Sequence, residues 1–253
     1  MTKYSDFFAN EWAKTRPPWR VWLSAWSYSR LVKYEECPRS VYYLYVEKRG
    51  IGEKSEAMLR GLAAHEECAS IYSGEPFKMK DSVLSQEWRL KLAAQREDWH
   101  PDLEAELQVA YNALWQRRKW FDKDVAFRCA FDGFAYAYGT DIAIFEHKTG
   151  KPYHSHRDQA ELYACVAHKM HPEADGVTVN IQYLDLPVSR APTVHSWTAA
   201  ELIVGHEGKP LINKWIQRAN VMLADRDFPM RAGPQCRYCQ FRGEVGGPCA
   251  IFS

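Results

Sequence analysis

The segment "IFEHKTG", Ile144–Gly150, sets a carboxylate and an ammonium two residues apart, at Glu146 and Lys148, just before a Thr-Gly turn. On a strand these two side chains share one face and His147 points to the other. Asp132, in "AFDGF", sits on the preceding apolar run. Neighbouring strands stand about 4.8 Å apart, so Asp132 and Glu146 can bring two carboxylates to one divalent cation when the register allows it. Mg²⁺ is a hard ion that takes oxygen ligands and keeps waters in its remaining positions. A water held in that way has a lowered pKa and can attack a phosphodiester. Lys148 can orient that water or offset charge developing on the phosphate. The competing reading is an inert surface ion pair, and the segment taken alone fits it better.

The elements that must hold these residues are read from periodicity. "ELQVAYNALWQ", "DVAFRCAFDGFAYAYG" and "TDIAIFEHKTG" alternate or run apolar over strand lengths, which predicts three strands joined by short connections. "SHRDQAELYACVAHKMH" then reads as helix, "GVTVNIQYLDL" and "PTVHSWT" as two strands, and "AAELIVGHEGKPLINKWIQRANVMLAD" as mostly helix. Upstream, Ser29 is expected to cap a short helix that breaks at Cys37-Pro38, with a second helix running to Gly50. "SEAMLRGLAAHEECASIYSG" keeps Met58, Leu62, Ala69 and Tyr72 near helical spacing and stops at Gly74, and a further helix is expected over 82–96. The fold class is therefore α/β, a mixed central sheet flanked by helices. Residues 1–26 hold Trp12, Trp19, Trp22 and Trp26 and a Pro17-Pro18 step, read as an aromatic arm ahead of a single domain over 27–253.

Composition narrows the function. The 253 residues carry 33 Lys and Arg against 32 Asp and Glu, a formal charge of +1, so any nucleic-acid surface must be local rather than a basic coat. No signal-peptide-like segment or membrane-length apolar run occurs, and a soluble, cytoplasmic protein with no membrane partner is expected. Seven cysteines without a secretion signal argue for free thiols or metal ligation over a disulfide framework. Arg30, Lys33, Arg39 and the "QRRKW" run could meet phosphates, and Tyr42, Tyr43 and Tyr45 could stack bases or simply pack.

"FDG", "IFEHKTG" and "HRDQAELYA", in that order, resemble the PD-(D/E)XK nuclease superfamily, with Gln159 and Tyr163 in its Gln-x-x-x-Tyr helix. "RGLAAHEECA" is similar to the Gly-x-x-x-His helix of the RecB-like branch, with Gly61 and His65 in the matching places. The resemblance implies a restriction-endonuclease-like core. It also implies a Mg²⁺ or Mn²⁺ ion held by His65, Asp132, Glu146 and the His147 carbonyl, Lys148 as catalytic lysine, and substrate contacts from Gln159 and Tyr163. "EECPRSVYYLYV" and "PQCRYCQFRGEVGGPC" resemble the iron–sulfur RecB-like nucleases, including the AddB type and the stand-alone CRISPR-associated and phage exonucleases. That likeness implies a [4Fe–4S] cluster on Cys37, Cys236, Cys239 and Cys249, joining the N- and C-terminal segments. Nine residues separate Cys239 from Cys249, more than the pattern leads one to expect. A structural zinc site is the alternative for Cys236 and Cys239. Cys68, Cys129 and Cys165 read as core thiols.

The expected function is then a metal-dependent deoxyribonuclease, an exonuclease acting on single-stranded DNA or DNA ends, with a homo-oligomer or a CRISPR or recombination protein as further partner. A DNA-end-binding module with little cleavage of its own and a zinc-stapled, non-catalytic scaffold are the rivals.

Overall fold

The computed structural model describes residues 23–50, 54–76, 81–136, 141–190, 192–205 and 208–249. Most of the Trp-rich arm lies outside them. The order is α1 (Tyr28–Glu36), α2 (Pro38–Val41), a π-helical turn (Tyr42–Val46), α3 (Glu56–Ser73), α4 (Gln86–Trp99), β1 (Leu103–Asn112), β2 (Arg117–Arg118), β3 (Val125–Tyr136), β4 (Ile142–Lys148), α5 (His154–Met170), β5 (Gly176–Tyr183), β6 (Thr193–Thr198), α6 (Ala199–Val204) and α7 (Ile212–Ala224). Short 3₁₀ turns follow at Pro234–Tyr238 and Gly243–Val245.

The strands form one six-stranded mixed sheet in the order β2-β1-β3-β4-β5-β6. β3 pairs antiparallel with β4, β4 runs parallel to β5, and β5 pairs antiparallel with β6. The parallel pair is joined through α5, since parallel neighbours need a crossover long enough to return the chain. β4 explains its own composition: every residue from Ile142 to His147 is buried and only Lys148 is partly exposed, as expected of an inner strand with both faces covered. This is the helix-flanked mixed sheet that the residue pattern predicts.

The chain forms two compact units. One takes in the described residues up to Lys54, Val109–Arg128 and those from Lys214 on; the other comprises Ser55–Gln108 and Cys129–Asn213. In the first, Trp26 is buried with its ring 4.4 Å from Phe127, and its amide donates to the Ala126 carbonyl. Arg218 of α7 grips Glu35 with two hydrogen bonds of 2.7 and 2.6 Å. In the second, Ile142, Ile144, Val177, Val179 and Ile181 of the parallel pair and Leu162 and Val166 of α5 are core residues.

Four local expectations change. Ser27, not Ser29, caps α1, accepting from the Arg30 amide at 3.3 Å. The helix expected to reach Gly50 is a short α2 followed by the π turn. The long helix after β6 is cut in two at Gly205, whose φ of 57° leaves the helical region. Of the apolar residues spaced along α3, Tyr72 is buried as expected, but Met58 and Leu62 are exposed, and Ala64, Glu67 and Cys68 are buried beside Tyr72. Glu67 belongs inside because its carboxylate accepts from Ser82 Oγ and the amides of Val83 and Leu84, pinning the segment that leads into α4. A periodicity count that treats charge as surface misplaces such a face.

Candidate active site

The chemistry-bearing residues gather in the second unit, where β3 and β4 part. Their ladder runs from Tyr136–Ile142 to Gly133–Phe145. Beyond it the His147 amide donates to a carboxylate, Asp132 Oδ2, at 2.7 Å. Asp132 Oδ1 lies 3.2 Å from Nδ1 of His65, which α3 presents from the side, and the Asp132 side chain is only 12% exposed.

Glu106 of β1 completes a trio: one ligand atom each from His65, Glu106 and Asp132 lies within 4.8 Å of the others. Glu106 is the first residue of the strand-like segment "ELQVAYNALWQ" and is not among the site residues expected from the sequence. Its φ of 52° is left-handed, uncommon for a non-glycine residue, and marks a local departure from regular strand geometry. An acidic residue heading a strand that leads toward the Asp132 strand was the available signal, and it is too common to stand alone.

Glu146, close enough to Asp132 to feel its charge, is held by α5. Its Oε1 accepts from Lys148 Nζ at 2.6 Å and from Gln159 Nε2 at 2.7 Å, and Gln159 also donates to the Tyr163 hydroxyl at 2.9 Å. Gln159 and Tyr163 are nearly buried, so the structure has them supporting Glu146. Glu146 Oε2 is buried with no hydrogen-bond partner among the described residues. An isolated buried carboxylate oxygen is costly unless something meets it.

The electrostatics agree. Burial, then the nearby Asp132 charge, pushes the Glu146 carboxyl up to about 7 against the pull of Lys148. Burial and Asp132 likewise raise Glu106. Burial is the largest influence on Asp132 and pushes it up, but the hydrogen bond and charge of His65 together with His147 outweigh it and hold Asp132 below the ordinary carboxylate range; His65 is raised in return. His147 is fully buried and its imidazole is driven down to about 4, so it is neutral. Carboxylates that resist ionising together, beside an imidazole and an unmet oxygen, form an oxygen-rich donor set that fits a hard divalent cation.

The four cysteines lie in the first unit. Cys37 follows α1, and the Gln235 side chain donates to the carbonyl of Glu36 at 3.0 Å, which places the neighbours of Cys37 and Cys236 in contact. The Cys239 amide donates to the Cys236 carbonyl at 3.1 Å, the Cys249 amide to the Phe241 carbonyl at 2.8 Å, and Cys249 Sγ lies 3.7 Å from Met230 Sδ. Tyr42 and Tyr43 pack on Phe228 and Phe241 of the same C-terminal stretch, at 5.4 and 5.3 Å, which favours support of that segment over base stacking. Cys68, Cys129 and Cys165 are buried, as core thiols should be.

The model of the PD-(D/E)XK nuclease superfamily matches residues 25–243, and the chain belongs to that superfamily of nucleases. The described helices include none long and apolar enough to cross a membrane. Among solved structures, the chain is similar to SSO0001 with a TM-score of 0.43 and 15% identity over 96% of each chain. It is also similar to a "Putative exonuclease" from Eubacterium rectale, with a TM-score of 0.42 and 11% identity over 99% of this chain and 97% of that one. No curated protein sequence matches the chain.

Proposed function

We propose that this nuclease is a divalent-metal-dependent deoxyribonuclease acting on single-stranded DNA ends. The observation that carries the reading is the meeting of His65, Glu106 and Asp132 beside a buried Glu146 that keeps one oxygen unmet. His65, Asp132, Glu106 and Glu146 are the residues to hold Mg²⁺ or Mn²⁺, with the His147 carbonyl as a further donor. The ion, when bound, supplies Lewis-acid polarisation of a phosphoryl oxygen and an activated water. Glu146 positions Lys148, and Lys148 offsets the charge that develops on the phosphate. Gln159 holds Glu146 in place, and Tyr163 backs Gln159. In the first unit, we assign Cys37, Cys236, Cys239 and Cys249 to a [4Fe–4S] cluster, supported by the hydrogen bonds that draw their segments together.

The test is cleavage of end-labelled single and double strands, with and without Mg²⁺ or Mn²⁺. Parent protein is expected to shorten single strands from an end in a metal-dependent way. Asp132→Asn should abolish both metal uptake and cleavage. Lys148→Ala should still bind metal and DNA and slow single turnover by about 10²–10³-fold, the usual loss of one preorganised stabilising donor. A parent that binds DNA ends in Ca²⁺ but cleaves nothing in Mg²⁺ or Mn²⁺ would mark an end-binding module instead.

A further inference from the structure

On the face of β4 turned away from Glu146 and Lys148, a chain of buried hydrogen bonds runs through the second unit. His147 Nε2 lies 3.3 Å from the Tyr72 hydroxyl, and that hydroxyl donates to Gln95 Oε1 at 3.0 Å. His147, Tyr72 and Gln95 are 0, 3 and 7% exposed. The Tyr72 hydroxyl thus stands between the His147 imidazole and the Gln95 amide. Nδ1 is buried 3.7 Å from Asp132 Oδ2, and Gln182 is the cross-strand neighbour of His147 on β5.

Such a chain is a poor way to gain stability. Apolar groups of the same shape would do as well or better in a core otherwise built from Ile, Phe and Val. Its connections suggest a different use. Tyr72 follows His65 by two turns on the same face of α3. The His147 ring centroid is 5.4 Å from that of Tyr72 and 6.2 Å from that of His65. Gln95 belongs to α4. The main chain of His147 meanwhile holds Asp132. One residue, set between Glu146 and Lys148, thus ties the helix that carries His65 to the strand end that carries the carboxylates.

We infer that His147, Tyr72 and Gln95 form a positioning brace that sets His65 against Asp132 and so determines the affinity of the site for a divalent cation. The inference rests on the metal-site reading above. Groups that orient metal ligands through hydrogen bonds commonly govern about 10–100-fold of metal affinity.

The experiment is calorimetric Mn²⁺ titration together with thermal unfolding in chelator, for the parent, His147→Leu, His147→Gln and Tyr72→Phe. His147→Leu leaves the Tyr72–Gln95 bond intact and fills the space with an apolar group. It should melt at or above the parent temperature while its Mn²⁺ dissociation constant rises about tenfold. His147→Gln, whose amide can donate to Tyr72, should recover most of that affinity. Tyr72→Phe cuts the chain at its middle and keeps the ring; it should repeat the loss of affinity and provides the reading if His147→Leu does not fold. A parent that takes up no Mn²⁺ sinks the metal-site reading and the brace with it. Parent-like Mn²⁺ affinity in His147→Leu or Tyr72→Phe, with the parent binding normally, sinks the brace alone. So does an equal fall of melting temperature and affinity in the Leu and Gln variants, which would make His147 a packing residue.

Discussion

Glu146 joins two conditions that oppose each other: a carboxylate useful to a cation must be charged, and a carboxylate this deeply buried resists charging. Its folded pKa, about 7, stands above the ordinary value of 4.5. Between those values the folded protein keeps a proton that the unfolded chain has released, so ionising Glu146 costs stability as pH rises through that window. Without metal, the melting temperature of Glu146→Gln minus that of the parent should therefore grow between pH 5 and pH 8. Over the same range the parent should bind Mn²⁺ more tightly, because the proton that competes with the ion is leaving. The Gln variant should show a much weaker trend. A melting difference that stays flat across the window would mean that Glu146 ionises as an ordinary surface acid, and the bland ion-pair reading of Glu146 and Lys148 would stand.

At the level of elements, the site depends on how closely α3 lies on the β3–β4 pair. Gly133, next to Asp132 and opposite Phe145 in the ladder, is what permits it. A Cβ there would come 2.6 Å from Tyr72 Cε2 and 3.2 Å from Phe145 Cβ. Neither neighbour is a flexible tip: the Tyr72 hydroxyl is bonded on two sides and Phe145 is core. Gly133→Ala should lower unfolding free energy by about 1–3 kcal/mol, the usual range for overpacking a close-fitted interior. It should also weaken Mn²⁺ binding, since Tyr72 and Asp132 cannot both keep their places. Urea unfolding with a parallel metal titration measures both, and a variant that matches the parent in each would show that α3 yields without disturbing the site.

For the whole molecule, the division into two units assigns labour. All the proposed nuclease residues fall in one, and all four proposed cluster cysteines in the other, where α7 and the stretch after it return to α1 through Arg218 and Gln235. A cluster on cysteines from both ends of the chain would close a very long loop and bind only the folded state, so its loss should loosen the unit broadly. Cys236→Ser should lower iron content and melting temperature together. Cys165→Ser, in the core of the other unit, should leave iron unchanged. Full iron occupancy in Cys236→Ser would remove that residue from the ligand set, and zinc in place of iron in the parent would select the structural-zinc alternative.

What could be read from the sequence was local and periodic. Glu146 and Lys148 share a face because strands alternate, Gln159 and Tyr163 share one because a helix returns every three to four residues, and the buried run of β4 signalled an inner strand. Those features follow from backbone geometry and from the residues themselves. The rest depended on which distant surfaces cover one another. Met58 and Leu62 share the helical spacing of Tyr72, yet only Tyr72 of the three is buried, and the buried face of α3 also carries Glu67, because the Glu67 carboxylate finds three donors there. Glu106 meets His65 and Asp132 from within β1 with a left-handed φ that no residue type announces. The raised carboxyl of Glu146 and the lowered imidazole of His147 belong to neither residue alone. They arise because packing excludes water, and with water gone each charge and each proton is decided by whichever groups the tertiary structure has brought alongside.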